Sequence, residues 1–415
     1  MTPYSLSTVR TLALYSQGLT TANGADSSPT LKTIQKTVEQ VNYVQIDTLN
    51  LIQRSQYIAL WSRLGNYAPA DLDRLIYSLE ERKLFEGVQT VAAIVPLRDY
   101  RHQLPQMDRG RENLIRWYTH WLEQQGNREM VEMVYNRIRD EGALRASDFE
   151  YHGPKRGSWW DWKPAKIALE YLFVRGELMI ANRVNFQRVY DLTEHVLPAW
   201  VDTNPPTLEE RDRYWVKQGL IALGVCLPTQ IAEYAFHMRR AYPKAIAAEL
   251  LKKGILVPVQ GILADGETHE LVVHRDQLEH LQQAADGVIT ASRTTFLSFF
   301  DSLFWCRGRD MQFWGYRNLL EAYIPAEKRK YGYFCLAILH KDRLVGRFDP
   351  KLERKTGVLR IKAIYIEEGV EPDEELVSGV AAAMRDFMRF HNARELLIEV
   401  SQPEEFGGKL LKALL

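Results

Sequence analysis

A helix that stops at a glycine and is followed by two short strands is the pattern that most limits the fold of this 415-residue chain. It is clearest after Ala165, where an amphipathic run ends at Gly176. Apolar and polar residues then alternate in the segment M-I-A-N-R-V-N-F-Q-R-V-Y-D-L, which contains the turn-prone Asn182 and Asn185. Helices that lead into a hairpin are typical of a winged helix.

The same order of elements occurs in two other parts of the chain. Helical spacing over residues 8–17 and 30–40 precedes a short strand at 43–47, and strand-like residues follow at 85–96. A generic α+β lobe would give the same pattern there. After the linker V-D-T-N-P-P-T, helices lead to Gly254 and to the strands I-L-V-P-V-Q-G and H-E-L-V-V-H. We infer three copies from element order rather than from repeated residues.

Aromatic residues become frequent after Arg293, and several alternating segments and one long helix follow. The predicted fold class is therefore α+β, with three tandem winged-helix domains and a C-terminal β-rich domain. The predicted domains are 1–110, which contains the strand at 43–47, then 111–200, 201–290 and 291–415.

Composition excludes several functional classes. Lys+Arg 53 balances Asp+Glu 53, so a DNA site must come from the distribution of charge rather than from a basic chain. Cys226, Cys306 and Cys335 are far apart, and no histidine spacing favours a metal site. No nucleotide-cofactor motif is present. No basic leader or long apolar run is found, which predicts a cytoplasmic protein with no membrane segment.

The stretch from Tyr43 to Arg63 holds the best catalytic candidates. Its first residues, Y-V-Q-I-D, alternate as in a half-buried strand, which places Gln45 and Asp47 on one face. Such residues lie roughly 6.5 to 7 Å apart along a strand and can hold one water or sugar between them. The following residues, from Leu51, are predicted to be helical. An alternative explanation for Asp47 is that it caps this helix.

Residues 153–190 carry seven basic and three acidic side chains, which predicts a surface for DNA phosphates. A solvated helix face is the alternative. Three tryptophans, Trp159, Trp160 and Trp162, and the amide of Gln187 favour DNA, although the aromatic residues could equally be core.

Three groups of motifs identify a resemblance. They are V-Q-I-D-T-L-N with L-W-S-R, then W-K-P-A-K-I-A-L-E-Y-L-F-V-R-G-E-L with F-Q-R-V-Y-D-L-T-E, and finally E-A-Y-I-P-A-E-K-R-K-Y-G-Y-F with D-R-L-V-G-R-F-D-P-K. Together they resemble the winged-helix DNA glycosylases of the AlkX/AlkZ, or YcaQ-like, family. The resemblance covers nearly the whole chain.

The resemblance implies excision of N7-alkylpurines from double-stranded DNA and, in some members, unhooking of interstrand crosslinks. Gln45, Ile46 and Asp47 match the signature of the family in its aspartate form. We therefore expect a monomeric, monofunctional enzyme without cofactor. Gln45 and Asp47 are the expected catalytic residues, and the expected DNA-binding residues are Arg54, Arg63, Lys163, Lys166, Arg183, Gln187 and Arg188.

Two departures from the family pattern bear on this expectation. A His-Glu pair of the family is absent, with Thr90 and Val91 at that place, and Ser302 and Cys306 replace a proline and an aspartate. These changes leave a non-catalytic winged-helix DNA-binding protein, or a protein that keeps only the fold, as alternatives.

Overall fold

The computed structural model describes residues 2–20, 29–88, 91–112, 114–150, 163–234 and 241–415. The chain forms two compact units. Unit 1 contains Met1–Pro69, Gln89–Ala92 and Asp212–Leu415, and unit 2 contains Ala70–Val88 and Ala93–Arg211. This division differs from the four predicted ranges, because the first helices pack with residues near the C-terminal end of the chain.

The N-terminal part of unit 1 contains α1 (Leu6–Ser16), α2 (Leu31–Gln40), β1 (Val44–Gln45) and α3 (Ser55–Leu64). The side chains of Ser5 and Thr30 accept the N–H groups of Thr8 and Thr33 and so cap the first two helices. Both predicted helices are confirmed. The predicted helix from Leu51 is wrong at its start, because residues 46–54 form an irregular segment and α3 begins only at Ser55.

The middle of the chain supplies the elements of unit 2. In order these are α4 (Pro69–Tyr77), β2 (Leu84–Val88), β3 (Ala92–Pro96), α5 (Leu104–Arg111), α6 (Arg116–Leu122), α7 (Asn127–Glu141), β4 (Leu144–Arg145), α8 (Pro164–Val174), β5 (Leu178–Val184), β6 (Gln187–Leu192) and α9 (Thr193–Val196). The helical spacing of apolar residues between Glu112 and Glu141 predicts one continuous helix, but the structure has two, α6 and α7, because Gly126 adopts a left-handed conformation with φ +81° between them.

The predicted hairpin after Gly176 is confirmed. Strands β5 and β6 pair antiparallel from Leu178 opposite Leu192 to Val184 opposite Gln187. Asn185 and Phe186 both have positive φ in the two-residue turn, as a tight hairpin requires. Strand β4 pairs with β6, and α8 packs its apolar face into the same core. This is the helix-then-hairpin arrangement that the sequence predicts.

A buried carboxylate ties this hairpin to β2. Arg183 and Arg188 lie directly opposite each other on β5 and β6, where like charges repel. Glu86 accepts two bonds from Arg183 at 2.6 and 2.7 Å and lies 3.4 Å from Arg188. Burial acts to raise the pKa of Glu86, but hydrogen bonding to Arg183 and the charges of both arginines lower it overall. The ionised carboxylate therefore offsets the repulsion between the opposed cations, and Glu170 supplies a second negative charge to Arg188.

The last part of the chain completes unit 1. Its elements are α10 (Leu208–Leu223), β7 (Val225–Cys226), α11 (Ile231–Tyr234), α12 (Ala241–Lys252), β8 (Leu256–Ile262), β9 (Thr268–His274), α13 (Leu278–Ala285), β10 (Thr294–Leu297), α14 (Arg309–Trp314), β11 (Leu336–His340), β12 (Arg343–Glu353), β13 (Val358–Ile366), α15 (Glu374–Phe390), β14 (Glu395–Ile398), β15 (Ser401–Gln402) and α16 (Glu404–Leu414). The strands β11 to β14 and the helix α15 were all expected from their sequence patterns.

Two sheets organise this part of unit 1. A three-stranded sheet has the order β7-β9-β8, and a larger sheet has the order β10-β11-β12-β13-β14 with β15 added beside β13. Helix α1 packs into the core between them, with Val9 and Leu12 beside Leu271 and Leu339. The C-terminal β-rich part thus shares its core with the N-terminal helix. In the described part of the chain, no helix is long and apolar enough to cross a membrane.

Candidate active site

The segment from Tyr43 to Asp47 begins as the short strand β1. The N–H of Ile46, the next residue, donates to the carbonyl of Ala92 at 2.9 Å. Tyr43 is buried and stacks on Trp305, with ring centroids 4.0 Å apart. Alternation places Tyr43 on the face of Gln45 and Asp47, but the large ring is buried whereas the other two side chains are half-buried.

Gln45 is half-buried beside a small internal space. This space has a volume of about 10 Å³ and is also lined by Tyr43, Ala59, Phe300 and Trp305. A space of this size accommodates about one water molecule. Among the described residues, none hydrogen-bonds the side-chain amide of Gln45. The amide is thus positioned to bind a water, whereas the space is far too small for a purine.

Asp47 closes a local turn rather than capping a helix. Its Oδ2 accepts the N–H of Leu49 at 2.6 Å, and its own N–H donates to Oε1 of the buried Gln56 at 3.4 Å. Helix α3 begins eight residues later, and Arg54 is at its N-cap position. The alternative that Asp47 caps this helix is therefore wrong. This turn, rather than a helix, therefore fixes the position of the carboxylate.

The environment of Asp47 raises the pKa of its carboxyl group. Burial is the largest cause, and it is opposed by the N–H groups of Leu49 and Thr48 and by the positive charge of Arg54. A carboxylate that is partly desolvated in this way is a stronger base than one in water. Arg54, which was predicted to bind DNA, therefore also stabilises the ionised form of Asp47.

The irregular segment after Asp47 is held by the end of strand β12 and by Arg354, which follows it, contacts that sequence patterns do not predict. Nη2 of Arg354 donates to Oδ1 of Asn50 at 2.8 Å and to the carbonyl of Ile52 at 2.9 Å. The N–H of Leu352 donates to the carbonyl of Leu51 at 3.1 Å. Residues about 300 positions away thus fix the path of the chain between Asp47 and α3. Nothing in the local sequence around Arg354 could have indicated this partner.

Arg63 is buried in a network of hydrogen bonds. Its guanidinium group binds both carboxylate oxygens of Asp301, at 2.7 and 2.8 Å, and donates to the carbonyls of Gln17 and Ala59. The exposed fractions of the two charged side chains are 3% and 0%. We therefore assign a structural role to Arg63, in place of the DNA contact expected from sequence. The network joins the motif L-W-S-R to the motif F-F-D-S-L.

The two unusual residues near Asp301 fit this buried environment. Ser302 donates to Oε1 of Gln17 at 2.5 Å and accepts from Arg63, and it therefore extends the network. Cys306 is buried with its sulfur 3.7 Å from the carbonyl of Gln230. Burial raises the pKa of its thiol, which keeps the group neutral. The substitutions therefore leave the ion pair of Arg63 intact.

The remaining predicted DNA-binding residues belong to unit 2. Arg183 and Arg188 form ion pairs with Glu86, and Arg188 also donates to Glu170. The charge count over residues 153–190 omitted Glu86, which comes from another strand, so it overstated the free positive charge. Lys163 and Gln187 are exposed, and Lys166 is half-buried. Burial lowers the pKa of Lys166, against the effect of Glu170.

Several expected features fall outside the described residues. These are Lys155, Arg156, Trp159, Trp160 and Trp162 of the basic window, together with Thr90 of the substituted His-Glu position. Within the described ranges, no group of three or more His, Cys, Asp or Glu side chains could hold a metal ion.

Comparison with known proteins agrees with the fold and with the motifs. A sequence model of the AlkZ-like DNA glycosylases matches residues 38–390. The structure of the Streptomyces sahachiroi DNA glycosylase AlkZ is similar to this chain with a TM-score of 0.62 and 14% identity. The match covers 96% of this chain and 100% of that chain. The resemblance expected from the sequence is confirmed, and the structural likeness extends it to the fold.

Replacing Asp301 by alanine is expected to lower the free energy of unfolding by about 3 to 5 kcal/mol, because Arg63 would remain buried without its counter-charge. Urea denaturation followed by circular dichroism measures this change. Glu141→Ala, which removes an exposed partner of Arg137, is the matched control and should leave the transition midpoint nearly unchanged. Equal midpoints for Asp301→Ala and the control would contradict the structural role of the pair.

Proposed function

The chain belongs to the AlkZ-like DNA glycosylase family, and from that premise we propose that it releases N7-alkylated purines from double-stranded DNA by hydrolysis of the N-glycosidic bond. Asp47 is the proposed base and electrostatic partner, and Gln45 the proposed ligand of the attacking water. The observation that carries this proposal is the half-buried carboxylate of Asp47, whose pKa is raised, two residues from an amide beside a water-sized space.

The chemistry of the lesion makes this small set of groups sufficient. An N7-alkylated purine carries a positive charge and leaves as a neutral base, so no strong general acid is required. The remaining demands are to stabilise positive charge on the sugar and to direct a water at C1′. An ionised Asp47 meets the first demand and can accept a proton from the water, while the amide of Gln45 orients that water.

Interstrand crosslinks are a second proposed substrate class. A crosslinked purine is tethered to the opposite strand and cannot rotate into a deep pocket as most base-excision enzymes require. The space beside Gln45 is too small to hold a base, which fits a mechanism that acts on a purine outside the protein core. The Gln45 and Asp47 segment is half-buried, so it can meet the sugar at the protein surface.

We also propose a monofunctional reaction. No lysine occurs between Lys36 and Lys83, so a Schiff-base nucleophile is not available from the chain around Gln45 and Asp47. The three helix-and-strand groups are proposed to act as winged helices, and Lys163, Lys166 and Gln187 are proposed DNA contacts of unit 2. The cysteines are all unpaired, which fits the proposed cytoplasmic location. We propose a monomer as well.

Asp47→Asn is expected to abolish release of N7-methylguanine, because an amide can neither accept the proton nor stabilise a cation by charge. The asparagine oxygen can still accept the N–H of Leu49, so the variant should fold. Incubation with an oligonucleotide containing N7-methylguanine, followed by alkaline cleavage, measures the abasic product. Wild-type protein that binds this DNA without producing abasic sites would favour a non-catalytic DNA-binding protein. Full activity of Asp47→Asn would contradict the assignment of the base.

The rate of release should fall as the pH is lowered through the pKa of Asp47. Only the ionised carboxylate can act as base, and burial raises its pKa above about 3.9, the usual value for an aspartate. Single-turnover rates between pH 4 and pH 8 would therefore give an acid limb with its midpoint above that value. A rate that stays constant down to about pH 4 would contradict the role of Asp47.

Arg354→Ala is expected to reduce the single-turnover rate about tenfold while changing DNA affinity little, because the loss of three acceptor contacts loosens the chain after Asp47. Arg354→Lys should recover part of the rate. Arg360→Ala is the matched control, since Arg360 lies on the neighbouring strand and pairs with Glu353 and Glu399. A loss of affinity with an unchanged rate would instead make Arg354 a DNA contact.

A further inference from the structure

A loop in unit 1 has a fixed conformation without being a helix or a strand. Residues 321–332, hereafter the Glu321 loop, contain a single 3-10 turn at Ala326–Lys328. Glu321 is 7% exposed, and its carboxylate accepts the N–H groups of Lys330, Tyr331 and Gly332 at 2.7, 2.8 and 3.2 Å. One buried side chain thereby closes the loop on itself.

Further contacts hold the loop at its base. The Nε of Arg329 donates to the carbonyls of Glu321 and Ile324. The carboxylate of Asp349 accepts the N–H groups of Tyr333 and Phe334. Gly332 has φ +153° and packs so closely on Asp349 that a Cβ there would collide with it. Burial acts to raise the pKa of Glu321, but the three N–H groups and Arg347 lower it overall, so the carboxylate stays ionised.

The side chains that this framework presents to solvent are aromatic and basic. Tyr323 is 79% exposed and Ile324 is 36% exposed. Lys328 and Lys330 are also exposed, and Lys330 lies over the ring of Tyr331 at 4.8 Å. Among residues 321–332 three basic side chains outnumber two acidic ones, Glu321 and Glu327, and of these two only Glu327 is exposed, in a chain whose net charge is +0. The loop is therefore a local positive patch with an apolar tip.

The rigid base and the exposed tip together indicate a binding surface. A tyrosine that is almost fully exposed gains nothing from the folded core, yet several backbone hydrogen bonds are used to fix its position. Pre-organisation of this kind reduces the entropy lost on binding. Lysines match phosphates in charge, and an aromatic ring next to an aliphatic side chain can pack on an unstacked base or enter between base steps.

We propose that the Glu321 loop is a DNA-contacting element, in which Lys328 and Lys330 bind backbone phosphates and the tip formed by Tyr323 and Ile324 packs against a base left unstacked at a damaged position. This inference rests on DNA as the substrate of the proposed function. DNA binding by the loop requires neither catalysis by Asp47 nor a particular alkyl group on the base. Equilibrium binding measurements can therefore test the inference without base excision.

The phosphate contacts are tested with the double variant Lys328→Gln/Lys330→Gln. Fluorescence anisotropy with an undamaged duplex, over a series of salt concentrations, gives the affinity and its salt dependence. The variant is expected to bind more weakly and to reduce the slope of log affinity against log salt by about 1 to 2. Lys409→Gln/Lys412→Gln on α16 carries the same charge change at exposed positions and is expected to keep the wild-type slope. An unchanged slope for the loop variant would overturn the proposed contacts.

The tip is tested with Tyr323→Ala and Tyr323→Phe on two duplexes, one intact and one containing a tetrahydrofuran abasic analogue that leaves a base unstacked. Tyr323→Ala is expected to weaken binding to the abasic duplex by about fivefold or more, and to weaken binding to the intact duplex less. Tyr323→Phe keeps the ring and should bind like wild type. Equal affinities of wild type and Tyr323→Ala for the abasic duplex would overturn the role of the tip.

Two controls separate failure of this inference from other failures. Thermal unfolding of each variant establishes that the loop changes leave the fold intact, as expected for side chains that point into solvent. Release of N7-methylguanine by the wild type is measured in parallel. If the wild type binds DNA through the loop but releases no base, the proposed reaction fails and the loop inference stands. If the wild type releases base and all loop variants bind DNA normally, the loop inference fails and the proposed reaction stands.

Discussion

The buried ion pair of Arg63 and Asp301 is the interaction on which the proposed active site depends. It joins α3 to a turn more than 200 residues later in the chain. Both charges are removed from water, and the cost of this burial is offset only because the guanidinium group also donates to the carbonyls of Gln17 and Ala59 and to the hydroxyl of Ser302. These demands permit very few alternative packings of the N-terminal helices on the C-terminal part of unit 1.

The segment that carries Gln45 and Asp47 lies between the elements that this pair brings together. Trp305 follows Asp301 by one helical turn and stacks on Tyr43, which sets the start of the segment. Gln56 on α3 accepts the N–H of Asp47, and Arg354 binds the carbonyl of Ile52. The segment has too little regular structure to hold its own shape. Contacts from α3 and from two distant parts of the chain replace the hydrogen bonds that a longer strand would provide.

A structural feature could be predicted from the sequence only where the residues that determine it are close together in the chain. The capped helices α1 and α2 and the hairpin after Gly176 follow from neighbouring residues, and they were predicted correctly. The contacts of Tyr43, Arg63 and Arg183 could not be predicted, because Trp305, Asp301 and Glu86 lie far away in sequence. A charge count over a window also cannot detect a buried carboxylate on another strand. The two catalytic candidates came from a motif, since spacing alone favoured helix capping as the explanation for Asp47.

Distant contacts also explain why the family motifs near the C-terminal end contain so many residues without an obvious chemical role. Glu321 and Asp349 use their carboxylates on backbone N–H groups, and Arg347 packs between the rings of Tyr316 and Tyr331. These side chains build a loop rather than touch a reacting atom. If recognition of a damaged duplex depends on holding an aromatic tip in place, the residues that fix the loop are as necessary as the tip itself. Buried charged residues of a motif can therefore determine a binding surface by fixing the backbone that carries it.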